Sequence, residues 1–102
     1  MKVYKSFYIA GFRYYGGFKV FNRLKPGVKL KLKPEPKNRY DENAVEIYYK
    51  KYKLGYIPRN QNYSIAQILN SGHKIFKCYV QKVDNEQNIQ VAVIIKKHNK
   101  LS

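Results

Sequence analysis

Val28-Lys29-Leu30-Lys31-Leu32-Lys33-Pro34 alternates without a break between apolar and cationic side chains until the proline. A strand turns successive side chains to opposite faces, so this stretch predicts an antiparallel strand with leucines inward and a lysine ladder outward. Pro34 and Pro36 end it, because proline cannot donate to a ladder. A dense polar turn follows, Glu35-Pro36-Lys37-Asn38-Arg39-Tyr40-Asp41-Glu42-Asn43. Asp41 and Asn43 can shape such a turn by accepting backbone N–H groups two residues on. Ala44 to Tyr49 is apolar again and predicts the next strand.

Working outward, Val3 to Ala10 is aromatic-rich and alternating, which predicts a first strand. Gly11, Gly16 and Gly17 bracket a tight connection around Arg13-Tyr14-Tyr15, and Phe18 to Leu24 fits a loop or one short helical turn. On the other side, Lys50 to Tyr52 is a turn and Leu54 to Ile57 a short strand stopped by Pro58. Asn60 to Ser71 is the one clear helix: Asn62 suits an N-cap, Ile65, Ile68 and Leu69 form an apolar stripe, and Gly72 suits the left-handed end. Ile75 to Val83 and Ile89 to Ile95 are two long strands joined by Asp84 to Asn88. From Lys96 the chain is polar and is expected to fray.

About six strands and one helix after the fourth strand must cover their apolar faces within 102 residues. A lone flat sheet leaves one face wet. Closure into a small barrel does not, so the expected class is mostly β, an OB-like or SH3-like barrel. The chain is expected to form a single domain over residues 1–102, with a core over about 3–96 and a polar tail at 97–102.

The formal charge is +15, from 21 Lys plus Arg against 6 Asp plus Glu. A field of that size attracts polyanions, nucleic acid first among them. An A/T-rich coding bias would account for part of the lysine count. The arginines are therefore more telling: there are only four, and Arg13, Arg39 and Arg59 each adjoin a tyrosine or a Gly-Tyr-Ile-Pro unit. No basic amphipathic helix, transmembrane-length run or signal-like segment after Met1 is seen, so a cytoplasmic location (nucleoid-associated in a bacterium) and no membrane partner are expected. Cys78 lies in an apolar stretch and suits a buried small side chain. His73 and His98 lack metal-like spacing, no carboxylate pair suits two-metal work, and no glycine-rich phosphate loop is present. Neither catalysis, metal nor cofactor is expected.

Three segments carry candidate binding residues. Arg13, Tyr14 and Tyr15 can present a guanidinium to a phosphate and a ring to a base, or can cover a barrel end. In the polar turn, Tyr40 is the better stacking ring and Asn38 offers both a donor and an acceptor. Asp41 either shapes the turn or accepts from a base amine or terminal hydroxyl. Tyr56 and Arg59 precede the helix, whose N-terminus favours an anion. Lys29, Lys31 and Lys33, and equally Lys50, Lys51 and Lys53, form stripes that are either phosphate tracks or solvated faces.

Ile9-Ala10-Gly11-Phe12-Arg13-Tyr14-Tyr15, the block from Leu30 to Ile47, and Leu54-Gly55-Tyr56-Ile57-Pro58-Arg59 occur in an order that resembles the HIRAN domain family, from about Lys5 to Lys96. The resemblance implies a modified OB-like barrel, standing alone or fused to helicase-like ATPases, nucleases or RING domains of DNA repair. It implies binding of single-stranded DNA with capture of a free 3′ end, RNA staying open as a ligand, and a helicase-like ATPase or nuclease as partner. Carried over by that resemblance, Arg13, Tyr14, Tyr15, Asn38, Tyr40 and Asp41 match the family's pocket. Tyr40 matches a base-stacking residue and Asp41 a reader of the 3′-hydroxyl. Tyr56 and Arg59 match positions near the end phosphate, and Lys37 stands where the family carries a pocket Asn. The other expected role is a protein-docking module of a DNA-processing assembly without direct end recognition.

Overall fold

Among the described residues six strands form the body of the fold: β1 (Val3–Tyr8), β2 (Lys29–Pro34), β3 (Val45–Tyr49), β4 (Tyr52–Tyr56), β5 (Phe76–Val83) and β6 (Ile89–Ile95). The computed structural model describes residues 2–96, so the expected fraying tail at 97–102, His98 and Met1 lie outside the described residues. The strands form one antiparallel sheet in the order β1-β6-β5-β2-β3-β4. Just past β1, Ala10 N–H donates to the Tyr56 carbonyl at 2.8 Å and Tyr56 N–H to the Ala10 carbonyl at 3.0 Å. This single bridge joins the two ends of the sheet and closes the barrel. No helix among the described residues is long and apolar enough to cross a membrane.

The seam fits because residue 55 has no side chain. Gly55 has φ +147°, and a Cβ there would run into the Ala10 carbonyl oxygen and lie 2.7 Å from Ile9 Cγ2. Inside, Leu24, Val45, Ile47, Leu54, Ile65 and Ile89 are fully buried. Leu30 is buried and Lys29, Lys31 and Lys33 are exposed, as the alternation requires. Pro34 sits inside the end of β2 rather than beyond it. β4 begins at Tyr52, two residues earlier than its apolar content suggests, because the β3–β4 turn needs only Lys50 and Lys51. Lys50 takes a left-handed φ of 52° there, which tight hairpins require. The ambiguous stretch becomes a 3-10 helix, Gly16–Arg23, that buries Val20 and sets Phe21 edge-on to Phe12.

The helix is α1 (Tyr63–Asn70), shorter than Asn60 to Ser71, because Arg59–Gln61 forms a separate 3-10 turn. Gly72 ends it with φ +88°, as expected. Asn62 precedes it, but its side chain makes no capping bond. Instead the side chain, in a residue only 3% exposed, donates its amide to Asp41 Oδ2 at 2.9 Å. One gap remains in the wall. β2 and β5 pair only at Lys29 with Tyr79 and Leu30 with Cys78, so the strands fork below Leu30.

Candidate nucleic-acid interface

The polar turn is built by its own side chains. Asn38 Oδ1 accepts from the backbone N–H of Tyr40 at 2.8 Å and of Asp41 at 3.0 Å, and Asn38 Nδ2 donates to Glu35 Oε1 at 3.0 Å. These bonds engage the Asn38 carbonyl oxygen twice and one of its two amide N–H donors, so Asn38 holds the turn while it lines the cleft. Asp41 Oδ1 accepts from Asn43 N–H at 2.9 Å, which is the turn-shaping role. Oδ2 takes the Asn62 amide, with Arg59 Nε at 3.7 Å. A carboxylate has about four lone-pair sites, so these two hydrogen bonds leave Asp41 acceptor capacity, and its side chain is 18% exposed. Arg59 Nη2 donates to the Tyr40 carbonyl at 3.3 Å. It therefore clamps the turn while keeping other donors for a ligand. The Tyr40 residue is 78% exposed, with the Arg39 guanidinium 6.0 Å from its ring centroid.

Facing this turn are two rings at the barrel seam. Tyr15 and Tyr56 meet edge to face, centroids 5.9 Å apart. The Lys53 ammonium stands 4.3 Å from both centroids, donates to Tyr56 Oη at 2.8 Å and pairs with Glu46 at 3.0 Å. Tyr56 Oη in turn donates to Glu35 Oε1 at 2.8 Å. This network ties the floor to the turn. Partial burial pushes the Glu35 carboxyl up, but hydrogen bonds from Asn38 and Tyr56 and the charge of Lys53 outweigh it and hold it below its ordinary 4.5. Burial pulls Lys53 down, yet its bonds to Tyr56 and Glu46 leave it above its ordinary 10.5. Burial, helped by the Glu35 carboxylate, raises the Tyr56 phenol above 10.0 although Lys53 opposes it.

Between turn and floor lies a cleft of about 370 Å³. Tyr15, Asn38, Tyr40, Asp41, Tyr56 and Arg59 line it, so residues from three separated segments meet in one place. Other candidates fall elsewhere. Arg13 and Tyr14 line a neighbouring hollow of about 220 Å³ with Glu86, Gln87 and Asn88, and Tyr14 is 79% exposed. Arg13 and Tyr14 belong to the tight 3-10 turn Phe12–Tyr14, and Tyr15 follows it in an extended conformation. Lys37 is exposed on the turn but does not line the cleft. Lys29 and Lys31 border a third cavity, and the Lys33 ammonium lies 5.8 Å from the Tyr48 ring centroid. Lys53, grouped with Lys50 and Lys51 as an outer stripe, is instead half-buried in the floor.

Sequence reasoning missed the roles of Lys53, Glu35 and Asn62. The signal for Lys53 was its place just after Tyr52 and three residues before Tyr56. For Asn62 the N-cap explanation was sufficient and concealed the other. Among the described residues no three His, Cys, Asp or Glu gather to hold a metal. Cys78 is buried, and burial pushes its thiol up to about 12, far from the range of a nucleophile.

The model of the HIRAN domain family matches residues 3–98. A crystal structure of a protein from Lactobacillus plantarum superposes with a TM-score of 0.80 at 26% identity, covering 89% of this chain and 90% of that one. The HIRAN domain of human HLTF superposes with a TM-score of 0.68 at 19% identity, covering 93% of this chain and 79% of that one, a likeness of fold alone. No curated protein sequence matches. A barrel closed at Ala10 and Tyr56, a polar turn facing that seam, and a family match over 3–98 agree: this chain belongs to the HIRAN domain family.

Proposed function

We propose that this domain binds single-stranded nucleic acid and takes the free 3′ end of a DNA strand into the cleft between the polar turn and the barrel seam. HIRAN domains are non-catalytic binding modules, so the work of the site is recognition. The observation that carries the reading is the meeting of an open ring, a guanidinium and an under-used carboxylate at one cleft on a +15 chain. Lysines draw the strand in and Arg59 meets a phosphate near its end. A terminal base stacks on the open face of Tyr40, and Asp41 accepts from the 3′-hydroxyl. A 3′-phosphate in that place would set like charges together, which is how the site would discriminate. Such a module would serve an enzyme acting on the same strand, a helicase-like ATPase or a nuclease.

The test is fluorescence anisotropy with matched oligonucleotides: single against double strand, DNA against RNA, 3′-hydroxyl against 3′-phosphate. The wild type is expected to favour single-stranded DNA with a free 3′-hydroxyl, and its affinity to fall steeply with salt. Asp41→Asn, which keeps an acceptor but removes the charge, is expected to narrow the preference for hydroxyl over phosphate. Equal preference in the two proteins would remove Asp41 as the reader.

Tyr40→Ala is expected to weaken binding by about 1–3 kcal/mol, the range for one stacked base. Thermal unfolding should hardly change, because the ring is mostly exposed and the turn is held by backbone and by Asn38. An unaltered dissociation constant would take the stacking role from Tyr40.

A further inference from the structure

The fork between β2 and β5 is an interrupted ladder with its backbone groups still in position. Val80 N–H donates to the Val28 carbonyl at 2.9 Å, and Leu30 pairs with Cys78. The next hydrogen-bonded pair in that register would be Leu32 with Phe76, and it is not formed. In an antiparallel strand, alternate residues bond to opposite neighbours. Glu35 N–H bonds to the Ala44 carbonyl beside β3, so the odd-numbered residues of β2 bond β3 and Leu32 turns to β5. Lys96 N–H bonds to the Ile75 carbonyl, so odd-numbered residues of β5 bond β6 and Phe76 turns to β2. Each therefore aims an N–H and a C=O into the fork.

The fork opens on a cavity of about 620 Å³. Leu30, Leu32, Leu69 and Phe76 give it an apolar wall. Among the described residues, six lysines (Lys29, Lys31, Lys50, Lys74, Lys77 and Lys96) stand around it, and no carboxylate lines it. The wall comes from β2, from β5 and from the end of α1, where Leu69 and Gly72 contribute. This site shares no lining residue with the cleft.

We propose that the fork is a docking site for an extended segment of a partner protein, alternating apolar and acidic residues, that adds as a strand to the open β2 or β5 edge. Strand addition supplies main-chain hydrogen bonds, and alternate side chains then find the apolar wall and the lysine rim. Charge complementarity selects the occupant. A second copy of this chain is disfavoured, because it carries +15 and only six carboxylates. A nucleic-acid strand is less suited, because it needs free ring faces. Phe76 is already stacked on Tyr4 at 5.5 Å, and the Tyr48 ring carries the Lys33 ammonium. The open leucines offer a base no such platform.

The test uses a fluorescein-labelled six-residue peptide alternating valine and glutamate, blocked at both ends, with the valine–lysine peptide as control. The full chain is expected to bind the acidic peptide saturably and not the basic one. The amide of Leu32 or that of Phe76, according to the edge the peptide joins, is expected to gain protection from hydrogen exchange. Lys31→Glu combined with Lys77→Glu is expected to weaken peptide binding by about tenfold or more, whereas Tyr40→Ala leaves it unchanged, which keeps this site separate from the cleft. Absence of binding, or binding indifferent to the double substitution, overturns the proposal. So does a 3′-phosphorylated oligothymidylate that shifts either amide when the peptide does not, which would make the fork a nucleic-acid track.

Discussion

Gly55→Ala is expected to lower the unfolding free energy by about 3–5 kcal/mol in urea denaturation, the sum of backbone strain and a steric clash. A φ of +147° is a region that only glycine occupies without strain. The added methyl would also strike the Ala10 carbonyl oxygen, which is backbone and cannot rotate away. That oxygen accepts one of the two hydrogen bonds that close the barrel. Relief of the clash therefore means opening the seam. Gly27 is the control, since its φ is +93° but a Cβ there meets nothing within 4 Å. Gly27→Ala should cost only the conformational part, about 1 kcal/mol. Equal losses at the two sites would show that the seam tolerates a methyl. Because Ala10 and Tyr56 both line the cleft, surviving Gly55→Ala protein should also bind oligonucleotides more weakly.

The barrel was legible in the sequence wherever one face of a strand is wet. The alternation around Leu30 needed nothing beyond period two, whereas Ile89 to Ile95, buried on both faces over most of its length, was marked by its apolar run between polar segments. The convergence of Tyr15, Tyr40 and Arg59 was not legible, because it depends on the Ala10–Tyr56 bridge, a contact 46 positions apart that no local pattern encodes. Side-chain commitments were hidden for a related reason. Asn38 and Asn62 are residue types that suit ligand contact or capping, and only the fold shows each side chain bonded to the turn. Arg13 and Tyr14 were grouped with Tyr15 by adjacency, yet a 3-10 turn swings them to the hollow beside Glu86. Lys53 was assigned outward by its neighbours Lys50 and Lys51. A register irregularity between Ile47 and Tyr48 accompanies its pairing with Tyr48 in the hairpin. A count along the sequence does not reveal that irregularity.

Lys53→Met is expected to destabilise the domain by about 3 kcal/mol, through the charge it leaves behind rather than the contact it removes. Glu46 is 5% exposed and its remaining side-chain hydrogen bond is the 3.3 Å one from Tyr48. Methionine fills the stem of the lysine but supplies no cation, so a carboxylate would stay buried without its ion pair. The double substitution Lys53→Met with Glu46→Leu is expected to recover much of the loss, because an apolar pair of similar size asks for no compensation. If the double variant is no more stable than Lys53→Met alone, the orphaned carboxylate is not the cause. The pH dependence has a definite sign. The folded-state values of Lys53 and Tyr56 are raised, so their contributions are complete below about pH 10 and fade as pH rises through those values. That of Glu35 is lowered, so its contribution is complete above pH 4.5 and fades as pH falls through the lower folded value. The deficit of Lys53→Met against the wild type should therefore be fullest between these limits. It should shrink above pH 10.5, where the unfolded wild-type chain sheds the ammonium that the folded protein still holds. Since that ammonium also stands over Tyr15 and Tyr56, the variant should loosen the cleft floor and weaken oligonucleotide binding even at temperatures where it stays folded. Stability and recognition would then fall together at a residue that needs no direct contact with the strand.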